Sequence, residues 1–138
     1  MILGLVFLIT ACNKNDESIP TQPNNEEKVI DVFLKKITEV LKNSDKSYEI
    51  IFIDDGSTDN TLNVLIEYKN IYEHIRILQL SRNFGKEIAL TAGIDATLGE
   101  TIVPIDVDLQ DPPEIILDFI NKYEDGYHVF LVKRADRT

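Results

Sequence analysis

Tyr48-Glu49-Ile50-Ile51-Phe52-Ile53 runs straight into Asp54-Asp55-Gly56-Ser57-Thr58-Asp59, and this stretch decides the fold class. The first half is an apolar, β-branched run, the mark of a buried strand. The second half is a tight turn at Gly56, with Ser57, Thr58 or Asp59 placed to cap a following helix. A buried strand feeding a helix start is the beginning of a βαβ unit.

Working outward, the same alternation recurs. Asp59–Ile71 is predicted helical, with Leu62, Val64, Leu65 and Tyr68 on its apolar side. Ile75–Leu80 alternates as a strand. Gly85–Leu98 reads as a helix whose small residues Ala89, Ala92, Gly93 and Ala96 allow close packing on a sheet. Thr101–Ile105 is the next strand, Pro113–Tyr123 a helix with proline at its start, and His128–Val132 a further strand. Upstream, Glu26–Lys42 is predicted helical, with a buried stripe of Val29, Val32, Phe33, Ile37, Val40 and Leu41. Strands separated by helices imply an α/β fold with a mostly parallel sheet covered on both faces.

The beginning of the chain reads differently. Residues 1–12, MILGLVFLITAC, form an apolar run too short to span a bilayer, which takes ~20 residues. Ile9-Thr10-Ala11-Cys12 resembles a bacterial lipoprotein processing site, although no lysine or arginine precedes it. Residues 13–25 are polar, carry two prolines and read as a linker. The expected organisation is therefore a signal-like segment and linker over 1–25, which leaves export open, and one ordered domain over 26–138.

Bulk properties narrow the function. A chain of 138 residues holds one domain of ordinary size. With 24 acidic against 14 basic residues, a net charge of -10 argues against a nucleic-acid partner. Cys12 is the only cysteine, so there is no intrachain disulfide and no cysteine zinc site. His74 and His128 stand far apart and read as structural or surface residues. An acidic protein that binds a phosphorylated ligand needs a metal ion or well-placed basic side chains.

Three stretches offer that chemistry. Asp106-Val107-Asp108 follows a predicted strand, and extended alternation points both carboxylates the same way; Gln110 continues the spacing. Hard oxygen donors of this kind suit Mg²⁺ or Mn²⁺, with diphosphate oxygens completing the shell. The competing reading makes Asp108 and Asp111 an Asp-Pro turn that caps the next helix. Asp54 and Asp55 are placed to accept hydrogen bonds from a nucleobase or ribose. In Ser81-Arg82-Asn83-Phe84-Gly85-Lys86-Glu87, Arg82 and Lys86 flank a loop that opens a helix, a natural place to meet phosphate.

Taken in order, DDGSTDNT, SRNFGKEIALTAGIDA and PIDVDLQDPPE closely resemble the family 2 glycosyltransferases, and among them the bacterial polyprenyl-phosphate glycosyltransferases related to dolichol-phosphate mannose synthase. The resemblance runs from about Asn25 to Arg137. It implies a GT-A, Rossmann-like fold and inverting transfer of a sugar from a UDP- or GDP-sugar donor to a lipid-phosphate acceptor, on the cytoplasmic side and in association with the membrane. It also implies roles: Asp54 and Asp55 hold the nucleoside, and Lys86 lies near the nucleotide. Asp106 and Asp108 act at the catalytic centre and, with Gln110, around the metal and diphosphate. Arg134 and Arg137 match basic residues that touch phosphate. Of the family's Pro-x-Tyr-Asn-Glu-Glu opening, only Asn25-Glu26-Glu27 stands here, and no strand is evident before it. The chain is also expected to stop, at Thr138, ahead of the acceptor-side segment. Two other readings compete: a Mg²⁺-binding signalling receiver domain, and a non-catalytic glycosyltransferase remnant.

Overall fold

The computed structural model describes residues 5–11, 24–105 and 114–129. In chain order these form β1 (Leu5–Ala11), α1 (Asn24–Lys42), β2 (Tyr48–Asp54), α2 (Thr61–Ile71), β3 (Ile75–Gln79), α3 (Lys86–Asp95), β4 (Thr101–Ile105) and α4 (Ile115–Glu124). The four strands make one sheet in the order β3-β2-β1-β4, with every pairing parallel. The chain therefore winds outward from β1 through β2 to β3, then returns to the other side of β1 as β4. That reversal is a topological switch point, and such sheets bind ligands in the crevice beyond the carboxyl ends of their strands.

The largest departure from the sequence-based expectation is β1. The apolar run expected to stand outside the domain is instead an inner strand. Leu5 to Ala11 pair in register with Tyr48 to Asp54 on one side, and Leu5 to Ile9 with Thr101 to Ile105 on the other. The physical reason is that a short continuous apolar run has the same composition as the core of an export signal, so periodicity alone does not separate the two. The organisation expected over 1–25 is corrected accordingly: residues 5–11 belong to the sheet, and the helix expected from Glu26 begins at Asn24.

Both faces of β2 are buried, which explains its near-continuous apolar sequence. Ile50 and Phe52 join a core formed with α1, α2 and α4, including Phe33, Leu34, Ile37, Leu65, Ile116 and Ile120. Ile51 and Ile53 face the other way and pack with Ala89 of α3, beside Leu78, Leu80, Leu90 and Ile102. Fully burying an aliphatic side chain of this size stabilises the fold by about 1.5–3 kcal/mol. The stripe of α1 is shifted from its predicted position. Ile30, Phe33, Leu34, Ile37 and Leu41 are buried, whereas Val32 is 42% exposed. The shifted register buries the larger side chains Ile30 and Leu34 in place of valines.

The other boundaries moved little. α2 starts at Thr61 rather than Asp59, because the Asp59 carboxylate accepts the Thr61 N–H (3.0 Å) and Asn60 becomes the cap residue. α3 ends at Asp95, short of Leu98; the Ala96 N–H is shared between the carbonyls of Ala92 and Gly93, and the Thr97 hydroxyl turns back to the Ile94 carbonyl. The strand expected over His128–Val132 extends beyond the described residues, and His128 and Val129 are not in a strand.

Candidate functional site

β2 ends at Asp54, and β4 ends at Ile105, level with Ile9 of β1 and Phe52 of β2. Both strands therefore run out at one edge of the sheet, on either side of β1. Asp54 and Asp55 stand at that edge and are almost entirely buried, at 0% and 1% exposure. Buried carboxylates are costly unless paired or hydrogen-bonded, so their partners are informative.

Asp54 Oδ1 accepts the Ser57 N–H at 3.1 Å and also the Ser57 hydroxyl. This folds the turn back over the strand end. Its other oxygen, Oδ2, is buried and has no hydrogen-bond partner among the described residues. Asp55 is fully engaged: Oδ1 accepts the Phe84 N–H at 2.8 Å and Oδ2 the Gly85 N–H at 3.0 Å. The difference follows from strand alternation. Asp54 shares the parity of Ile50 and Phe52, while Asp55 continues the parity of Ile51 and Ile53, whose side is occupied by α3.

Gly56 locks the turn to the loop before α3. Its φ of +68° is a left-handed conformation, and a Cβ there would come within 2.4 Å of the Arg82 carbonyl carbon and 2.5 Å of the Asn83 nitrogen. Only glycine meets both conditions. The DDGS and SRNFG stretches are thus one packed unit, strengthened by the Leu80 N–H to Asp54 carbonyl bond at 2.9 Å. Within the loop, the Asn83 side chain accepts the Gly85 N–H at 3.1 Å, and the Arg82 guanidinium lies 4.7 Å from the centre of the Phe84 ring. Lys86 is the first residue of α3, and its side chain is exposed.

Of the residues singled out from sequence, the structure brings together Asp54, Asp55 and the loop that leads to Lys86. Asp106, Asp108, Gln110, Arg134 and Arg137 lie outside the described residues, as does the competing cap Asp111. Among the described residues no group of three His, Cys, Asp or Glu forms a metal site, and no helix is long and apolar enough to cross a membrane. Sequence reasoning placed the tight turn at Gly56 but missed its packing against Arg82 and Asn83, the bond from Ser57 back to Asp54, and the Asn83 bond to Gly85.

Comparison with known proteins agrees with this fold. The chain is 43% identical over 120 residues to an uncharacterized glycosyltransferase of Bacillus subtilis, a match covering 87% of this chain and 37% of that protein. It is equally 43% identical over 114 residues to the bactoprenol glucosyl transferase of Shigella phage SfX, covering 83% and 37%. The chain thus spans little more than a third of the length of these relatives. Among solved structures, a Pyrobaculum calidifontis mannosyltransferase in complex with GDP-Man and Mn²⁺ superposes with a TM-score of 0.63 at 21% identity, over 82% of this chain and 30% of that one. That likeness establishes the shared glycosyltransferase fold. The receiver-domain alternative is set aside, since the sequence profile of glycosyl transferase family 2 matches residues 24–138, and the chain belongs to that family.

Proposed function

We propose that this chain forms the donor-binding part of an inverting glycosyltransferase that moves a sugar from a UDP- or GDP-sugar to a polyprenyl phosphate. The observation that carries the reading is the buried, half-satisfied Asp54 carboxylate at the carboxyl edge of the sheet, beside the switch point. An acceptor oxygen left open in a buried place suits an incoming N–H or O–H donor, which a nucleobase or ribose supplies. The relative named a bactoprenol glucosyl transferase supports a lipid-linked acceptor; work at the cytoplasmic face of a membrane is part of the same proposal.

The chemistry asks little of a general base. An acceptor phosphate oxygen is already ionised; it attacks the anomeric carbon, and the bond from that carbon to the diphosphate breaks, releasing the nucleoside diphosphate. The main barrier is charge on the leaving group. Asp106, Asp108 and Gln110, directly after β4, are an all-oxygen donor set that fits Mg²⁺ or Mn²⁺. Such an ion, when bound, neutralises the diphosphate charge. Lys86, Arg134 and Arg137 are the basic residues assigned to the phosphates, and Asp54 and Asp55 to the nucleoside.

Calorimetric titration of UDP and GDP into the chain tests this, with Mn²⁺ and with EDTA. One of the two should bind in Mn²⁺ and not in EDTA. Asp106→Ala or Asp108→Ala should weaken it by more than roughly tenfold, the scale on which even outer-shell changes at metal sites act. Binding that survives EDTA and ignores Asp108→Ala removes the metal assignment; no binding of either nucleotide removes the reading.

A further inference from the structure

The sequence contains two Asp-Gly pairs, Asp55-Gly56 and Asp125-Gly126, and the fold treats them in opposite ways. Aspartate followed by glycine readily closes on itself, because no side chain shields the glycine nitrogen and the glycine backbone turns freely. For the ring to form, the aspartate carboxyl carbon must swing within bonding distance of that nitrogen. Asp55 is 1% exposed, and its two oxygens accept the Phe84 and Gly85 N–H groups. Gly56 is pressed against the backbone of Arg82 and Asn83. Neither member of this pair can turn toward the other, whether or not a ligand also touches Asp55.

Asp125-Gly126 stands at the end of α4, where both residues are exposed. Gly126, at φ +94°, closes the helix. Its N–H donates to the Tyr123 carbonyl at 3.0 Å, and the Tyr127 N–H donates to the Lys122 carbonyl at 3.1 Å. This is a Schellman cap, and helix ends open by local fraying far more readily than a packed turn does. A Cβ built at Gly126 would meet no atom within 4 Å, so the space for rearrangement is open.

We infer that Asp125-Gly126 is a site of spontaneous isomerisation to isoaspartate, and that the fold protects the chemically identical pair at Asp55-Gly56. When the cap opens, the Gly126 nitrogen bonds to Asp125 Cγ. One carboxylate oxygen leaves as water, taking the amide proton and a proton from solvent, and a cyclic imide remains. Water then opens the imide. Cleavage at Cγ restores aspartate. Cleavage at the former main-chain carbonyl leaves the chain running through Cγ, with one methylene more in the backbone. That methylene displaces Gly126 and Tyr127 from the carbonyls they cap. It also lies next to Glu124, whose bond to Lys46 ties this end of α4 to the segment before β2.

The full chain, incubated at neutral pH either folded or in urea, provides the test, with both peptides mapped by chromatography and mass. In the folded chain the Asp125-Gly126 peptide should yield a second species of equal mass, preceded by one lighter by a single water. Its rate should fall below that in urea by no more than roughly tenfold, since fraying costs little. The Asp55-Gly56 peptide should convert in urea but be slowed at least roughly a hundredfold in the folded chain, because reaching it takes unfolding. Asp125→Glu, which keeps the charge but requires a larger and slower-closing ring, should remove the new species. Asp125→Asn should form it faster, with loss of ammonia in place of water. An Asp125-Gly126 peptide that converts in urea and stays native in the folded chain overturns the proposal. Equal conversion of the two pairs in the folded chain overturns it as well, and so does a new species that persists in Asp125→Glu.

Discussion

Strand β2 carries acidic side chains at both ends, Glu49 near its start and Asp54–Asp55 at its finish, and the two ends satisfy them differently. At the amino end, Glu49 Oε2 meets Arg76 Nη1 at 2.7 Å and Oε1 accepts the Leu98 N–H at 2.7 Å. Arg76 also donates to the Ala96 carbonyl at 2.9 Å, tying the end of α3 to β2 and β3. Close by in sequence, Lys46 pairs with Glu124 at the end of α4 at 2.7 Å, a contact that raises the lysine above its ordinary pKa. Charges there are met by opposite charges from the protein itself. At the carboxyl end no ion pair reaches Asp54 or Asp55 among the described residues; their partners are N–H groups and a hydroxyl, and one carboxylate oxygen has none. A fold that needed both ends only for stability would have little reason to finish one and leave the other open.

Substitutions can break this contrast. The largest effect is expected from Gly56→Ala, which places a Cβ against the backbone of Arg82 and Asn83 in a left-handed conformation. The strain and the clash together should cost about 3 kcal/mol or more, read as a lower urea midpoint with an unchanged slope. A cost under about 1 kcal/mol would show that the two loops can part freely. Glu49→Ala should cost less, about 1 kcal/mol, since Arg76 is partly exposed and the pair is screened. Its effect should shrink in high salt, and nucleotide binding should stay as it was; a loss of binding would mean that the two ends are coupled. Asp54→Asn should alter stability by no more than about 1 kcal/mol. The amide oxygen can still accept from Ser57, and the NH2 replaces an oxygen that already has no partner among the described residues. Of the three, it alone should weaken nucleotide binding without a matching loss of stability.

Much of this was legible in the sequence, and where it was not the reasons are specific. Strands β2, β3 and β4 and all four helices stand close to where periodicity puts them, because a βαβ chain writes its alternation locally. β1 was not legible as a strand: Leu5–Ala11 reads the same whether it enters a sheet or an export pathway, and what distinguishes the two is register with Tyr48–Asp54 and Thr101–Ile105, far along the chain. Similarly, Asp54 and Asp55 were recognisable as strand-end carboxylates, but the partners of Asp55 are Phe84 and Gly85, reached only through the fold. The shifted stripe of α1 is a third case, since valines and larger aliphatic residues compete for the same helical face and packing volume decides.

The pairing of β1 also has a consequence in time. Its partner on one side, β2, is made soon after it, but Leu5 waits for Thr101 before its other side is covered. At synthesis rates of about 5–20 residues per second, that interval lasts roughly 5–20 s. Throughout it, a nascent chain holding β1, β2 and β3 exposes one unpaired apolar strand edge, the kind of surface on which chains stick to one another. Proline at 104 in the late-arriving β4 leaves one N–H fewer on the strand that finally closes it. The yield of this protein in a cell should therefore depend on how fast the ribosome reaches β4, and on holdase chaperones that cover β1 until it does.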